Sequence, residues 1–155
     1  MILGIVGHAA DKFCPETEEL ARSAIRGAIL HYKPDTVVSG ACPMGGIDVW
    51  AIEEAKKLGV YTIEFPPMHH SWEGTKTAPG FKARNQSIAE HSDVVLSLVL
   101  NEFPPNFSGR KFPFCYHHRD EQDWHKTHPH IKSGGCWTAK YARSIGKVGK
   151  TIILK

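Results

Sequence analysis

SDVVLSLVL, residues 92–100, is the most apolar stretch of the chain, and its near-continuous hydrophobicity from Val94 to Val99 fits a strand covered on both faces. Immediately before it, Phe81 to His91 reads as a helix, and before that Val60 to Phe65 reads as a strand closed by Pro66-Pro67, which prevent further ladder pairing. Further back, the β-branched Thr36-Val37-Val38 leads through Gly40, Gly45 and Gly46 into a helix carrying Val49, Ala51, Ile52, Ala55 and Leu58. At the N-terminus, Ile2 to Val6 is a strand, and Glu16 to Tyr32 carries Leu20, Ala24, Ala28 and Leu30 near helical spacing. Downstream, a helix from Trp137 to Ile145 and a strand from Thr151 to Leu154 close the pattern. The order βαβαβαβαβ predicts an α/β fold: a three-layer α/β/α sandwich around a mainly parallel five-stranded sheet, because each right-handed crossover lays its helix on a face.

Composition sets the remaining bounds. The 155 residues are 41% hydrophobic and 23% charged, the profile of one globular domain over 1–155, which excludes collagen, disorder and coiled coil. No apolar run approaches the roughly 20 residues of a membrane span, and the N-terminus lacks the succession of a signal peptide, so a cytoplasmic protein without a membrane partner is expected. Nineteen Lys+Arg against 16 Asp+Glu give a formal charge of +3. That mild excess permits a phosphate-bearing small ligand and does not resemble the dense basic stripe of a nucleic-acid binder.

One segment breaks the pattern. Residues 101–132 contain Pro104-Pro105, Pro113 and Pro129 and no period of either kind, together with five of the ten His of the chain: His117, His118, His125, His128 and His130. A long aperiodic insert before the last helix calls for a functional, metal-clipped or disordered segment. Thiolate and imidazole are the ligands of structural zinc, with about two residues between members of a local pair. Cys115 and His118 form such a pair, and His130 lies six residues before Cys136. The preferred zinc quartet is therefore Cys115, His118, His130 and Cys136, with His117, His125 and His128 as substitutes. Such a metal would order the insert and tie it, as a lid, to the adjacent Gly134-Gly135 loop.

In open α/β sheets ligands bind outside the carboxyl ends of the strands, where Gly-rich loops feed helix N-termini. Four such places stand out: Gly7-His8 after the first strand; Ser39, Gly40, Gly45, Gly46 and Asp48 after the second; Arg84-Asn85 beyond the third; and Ser133-Gly134-Gly135-Cys136-Trp137-Thr138. None matches GxxxxGK[ST] or GxGxxG, which makes a P-loop NTPase or an ordinary dinucleotide-binding protein a poor reading.

Taken in order, GACPMGGIDVWAIEEAKKLGV, FKARNQSIAEHSDVV and SGGCWTAKYARSIGK resemble the SLOG superfamily, which includes the lonely-guy phosphoribohydrolases, DNA-processing protein A and small nucleotide-sensing domains. The resemblance covers nearly the whole chain apart from residues 101–132. It implies a Rossmann-like fold and a nucleotide or nucleotide-derived ligand held by the loops Gly40 to Asp48 and Ser133 to Thr138, with Arg84 contacting phosphate or ribose. Phosphoribohydrolases of that superfamily carry PGGxGTxxE, and aligning Gly134-Gly135 and Thr138 with it puts Trp137 in place of Gly and Tyr141 in place of the Glu. Tyr, with a reference pKa near 10, is poorly suited to N-glycosidic cleavage. The expected function is thus nucleotide binding, as sensor, carrier or processing protein. The alternatives are a nucleotide N-glycosidase hydrolase using Asp48 as its carboxylate, and a DNA-binding module. A homo-oligomer is compatible with all three.

Overall fold

Every residue of Val94–Leu100 is buried, and the side chains alternate between the two faces of the sheet as a strand requires. In the computed structural model, which describes residues 1–112 and 114–155, this strand is β4, beside β1 (Ile2–Gly7), β2 (Thr36–Ser39), β3 (Tyr61–Glu64) and β5 (Val148–Leu154). The order is β3-β2-β1-β4-β5 and every pair is parallel, so the predicted three-layer α/β/α sandwich is the fold observed. Helices α1 (Pro15–Tyr32) and α2 (Ile47–Lys57) cover one face, packing Ile25, Ile29, Ile47 and Ala51 on Leu3, Ile5 and Leu96. On the other face α3 (Phe81–His91) and α5 (Gly134–Ser144) set Ile88, Ala89, Ala139 and Ala142 against Val6, Val38 and Val95.

Element ends have local causes. α1 starts with Pro15 after Cys14, whose backbone N–H donates to Thr17 Oγ1 at 2.9 Å, and it stops at Lys33 in the left-handed region before Pro34. Two elements begin three residues before the sequence pattern places them. α5 starts at Gly134 because Ser133 caps it, its Oγ accepting from Gly135 N–H at 3.0 Å. β5 starts at Val148 because it pairs with β4 along its whole length, from Val94 opposite Val148 to Leu100 opposite Leu154. The insert, in turn, contains a kinked 3₁₀ segment, Tyr116–Glu121, and α4 (Gln122–Thr127), both too short to leave a period in the sequence. Pro113, one of the prolines marking that segment, lies outside the described residues. Among the described residues no helix is long and apolar enough to cross a membrane.

A buried carboxylate ties α2 to α1. Glu54 is almost wholly enclosed and accepts from Arg26 Nη1 at 2.7 Å, Arg22 Nη1 at 3.0 Å and Lys57 Nζ at 3.1 Å. Burial alone would raise its pKa; the three cations outweigh burial and hold it at about 2, against an ordinary 4.5. A depressed carboxylate contributes stability above its unfolded value and loses that contribution as pH falls toward its folded one. Glu54→Gln should therefore cost about 1–3 kcal/mol at pH 7. In urea titrations the gap between variant and parent should close as the pH is taken from about 5 down toward 2.

Candidate functional site

The strand order reverses between β1 and β4, and open α/β sheets bind ligands at such a switch point. Here the chain leaves β1 at Gly7 and runs through His8 to a single 3₁₀ turn, Ala10–Lys12. The loop after β2 folds back over this segment: Ile47 N–H donates to His8 O at 3.1 Å and Ala10 N–H to Met44 O at 3.4 Å. Gly45 and Gly46 make that fold-back with φ of 73° and 90°. At Gly46 a Cβ would lie 2.3 Å from His8 O, so only glycine lets the two loops touch.

A cavity of about 210 Å³ opens at this point. Of the residues anticipated for ligand binding, Gly7, His8, Ser133 and Gly134 line it. His8 is buried and its Nε2 has no hydrogen-bond partner among the described residues. Burial, reinforced by Lys12, pushes its pKa down to about 3, so the imidazole is neutral. Gly135 lies directly beneath, close to Ser97 and to the backbone N–H of Gly7. Lys12, Arg110 and Lys132 also line the cavity, and the sequence reading passed over all three. Lys132 abuts the Ser-Gly-Gly turn, a signal that could have brought it in; Lys12 and Arg110 carry no such mark.

The other anticipated residues form a second, drier cluster behind the loop after β2. Ser39 Oγ donates to Ile5 O, and Gly40 O accepts from Arg84 Nη1. Arg84 is nearly buried and also faces Asp48 Oδ2 at 3.5 Å and Phe65 O at 3.5 Å, while its Nε donates to Asn85 Oδ1 at 2.7 Å. Its guanidinium thus braces the loop. Asp48 is buried with Oδ1 unpartnered among the described residues, and burial raises its carboxyl to about 6 against the opposing pull of Arg84. On α5, Thr138 Oγ1 donates to Gly134 O at 3.0 Å. Trp137 stacks on Tyr141 at 5.4 Å and meets the edge of Trp72 at 5.1 Å.

Directly behind the cavity, Cys115, His118, His130 and Cys136 bring their donor atoms within 4.8 Å of one another, and all four are buried. Tetrahedral zinc needs donors about 3.3–3.8 Å apart, so small side-chain movements close the set around a cation. Two further observations fit a metal. His118 has both ring nitrogens buried without a hydrogen-bond partner among the described residues, a costly arrangement that a metal–nitrogen bond would relieve. His130 Nδ1 sits 2.8 Å from His128 O, which fixes the tautomer with Nε2 free to ligate, 3.5 Å from Cys136 Sγ. The thiols share one negative charge: the contact with Cys136 pulls Cys115 far below the ordinary thiol range and pushes Cys136 up. His125 accepts from Cys115 N–H at 3.2 Å, while His117 and His128 stand outside the quartet. The cluster rests on the sheet itself, with Cys136 Sγ 3.5 Å from Ser97 Oγ of β4 and 3.7 Å from Thr151 Oγ1 of β5.

No family model and no curated protein matches this chain. Among solved structures it is similar to the molybdenum cofactor carrier protein MCP from Chlamydomonas reinhardtii, at 15% identity and a TM-score of 0.54, over 98% of this chain and 74% of that one. At that identity the likeness speaks for the Rossmann-like fold.

Proposed function

We propose that this chain is a single ligand-binding domain of SLOG type that holds a nucleotide or nucleotide-derived cofactor at the C-terminal ends of its parallel strands, as a carrier. The observation that carries this reading is the meeting of Gly7, His8, Ser133 and Gly134 around one cavity at the strand-order reversal, with the Gly45-Gly46 fold-back beside it. It is supported by the motif resemblance to the SLOG superfamily and by the fold likeness to a protein that carries molybdenum cofactor. In this reading backbone N–H groups and the positive end of α5 receive the ligand, and the loops around it exclude water. The Cys115, His118, His130, Cys136 cluster would hold zinc, the metal suited to two thiolates and two imidazoles. With all four positions taken by protein, that zinc supplies structure and no open coordination site.

Tyr141 favours binding over cleavage. It occupies the position of the phosphoribohydrolase Glu, stacks on Trp137 and donates to Glu90 Oε1 at 3.0 Å, so it offers no carboxylate to a ribosyl centre. A hydrolase remains the second reading because of Asp48, whose buried carboxyl near pKa 6 is suited to proton transfer near neutral pH. A nucleotide panel separates them. Binding at 100 times Kd stabilises the folded state by about 2.7 kcal/mol, a melting shift of several degrees, with the nucleotide recovered intact by chromatography. Released base would establish the hydrolase, and a panel without any shift would overturn the nucleotide reading.

A further inference from the structure

The cavity at the β1–β4 reversal has a character of its own, to which Arg110, Phe112 and Lys132 contribute from the insert outside the SLOG resemblance. At about 210 Å³ it is smaller than the roughly 300–1,000 Å³ of sites that enclose an entire drug-sized ligand, so it admits one end of a molecule. Three cations line it and no carboxylate does, among the described residues. Arg110 and Lys132 form no ion pair among the described residues, and aromatic faces hold them instead. Arg110 lies 4.7 Å over the Phe112 ring, and Lys132 lies 5.2 Å over Phe112 and 5.5 Å over Tyr116. Lys12 lies 5.0 Å over Phe107 and pairs at 3.2 Å with Asp11, an exposed carboxylate. A ring orients a cation without neutralising it, so this positive charge is left available to a ligand. The unpartnered, buried Nε2 of His8 and the start of α5 at Gly134 border the same space.

We propose that this cavity seats a tetrahedral oxyanion, the phosphate end of the ligand, with Arg110, Lys132 and Lys12 as its counter-charges and the unpartnered Nε2 of His8 as a hydrogen-bond partner. The assignment rests on the reading that the ligand lies at the strand ends, and it names the chemistry of one end of it. Arg110 supplies a planar fork matched to two phosphate oxygens, Lys132 and Lys12 supply point charges, and the rings of Phe103 and Phe112 line the cavity beside them.

The test is calorimetric titration of the metal-loaded full chain with inorganic phosphate, with 5′-AMP and 5′-GMP, and with adenosine and guanosine, in the parent and in an Arg110→Ala, Lys132→Ala double variant. Arg110 is exposed and Lys132 half-buried, and neither is in the metal quartet, so the variant should melt like the parent in phosphate-free buffer. Phosphate is expected to bind the parent and to lose at least about tenfold in affinity in the variant, while Arg110→Lys with Lys132→Arg recovers most of it. A monophosphate should bind more tightly than its nucleoside, and only the monophosphate should respond to the variant. Equal affinity of monophosphate and nucleoside, or phosphate binding unchanged in the variant, overturns the proposal while leaving the nucleotide reading intact. Phosphate bound through these residues with no nucleotide or nucleoside bound supports the oxyanion site and overturns the nucleotide reading; if nothing binds, both fall.

Discussion

Protein purified without added metal should carry about one zinc per chain, and a Cys115→Ser, Cys136→Ser double variant should carry none. Four buried donors within 4.8 Å, together with a His118 ring whose two nitrogens have no hydrogen-bond partner among the described residues, are expensive to maintain without a cation. Structural zinc contributes about 10–16 kcal/mol in zinc-finger peptides, comparable with the total stability of many domains. Here α1, α2 and the β1–β2 side of the sheet have their own apolar core, so chelation should act first on the insert and on the turn into α5. Amide exchange over residues 101–136 should quicken by at least about a hundredfold while Leu3, Ile5 and Val37 stay protected. Elemental analysis and exchange mass spectrometry read both outcomes. Metal-free parent protein, or full metal retention in the double variant, would reject the quartet. Loss of protection throughout the sheet would make the cluster the keystone of the whole fold.

Gly46→Ala is the second substitution with a large expected effect. The residue sits at φ 90°, where an L side chain is strained by about 1–3 kcal/mol, and its new Cβ would fall 2.3 Å from His8 O and 2.6 Å from the Ala9 carbonyl carbon. Both contacts are backbone, so relief requires the loops after β1 and β2 to part, breaking the Ile47–His8 hydrogen bond. A total loss of about 3 kcal/mol in urea unfolding is expected, with the proposed ligand binding weakened even where the fold survives, because His8 would be displaced. Stability within about 0.5 kcal/mol of the parent would show that the fold-back is not the constraint described.

The strand and helix alternation was legible because burial on both faces writes itself into Val94–Leu100 and the helices keep their periods. The spacing of Cys115 and His118, with His130 near Cys136, put forward the four residues that the fold brings together, while leaving His117, His125 and His128 as substitutes. Strand order was not legible: nothing in residues 2–7 says that their second neighbour is residues 94–100, so the cavity between them could not be outlined. Nor could a local reading reveal that Arg84 spends its guanidinium on the carbonyls of Gly40 and Phe65, residues 44 and 19 positions away. The helical start at Gly134 was hidden for a different reason. Glycine has poor helix propensity, and although the Ser133 cap is local, the close approach of Gly135 to Ser97 on β4 is a tertiary fact.

The central position of β1 also sets an order of events at the ribosome. β1 can pair with β2 as soon as residue 39 is available, yet its other edge stays open until β4 emerges, about 90 residues after Gly7. At roughly 5–20 residues per second the nascent chain exposes that apolar edge for about 5–20 s. Ile5 and Val6 are then a target for chaperones or for a neighbouring nascent chain. The cavity and the thiol–imidazole cluster come later still, since Ser133, Gly134 and Cys136 follow β4 in the chain. A chain stalled before residue 130 lacks His130 and Cys136, so the cluster cannot assemble on it.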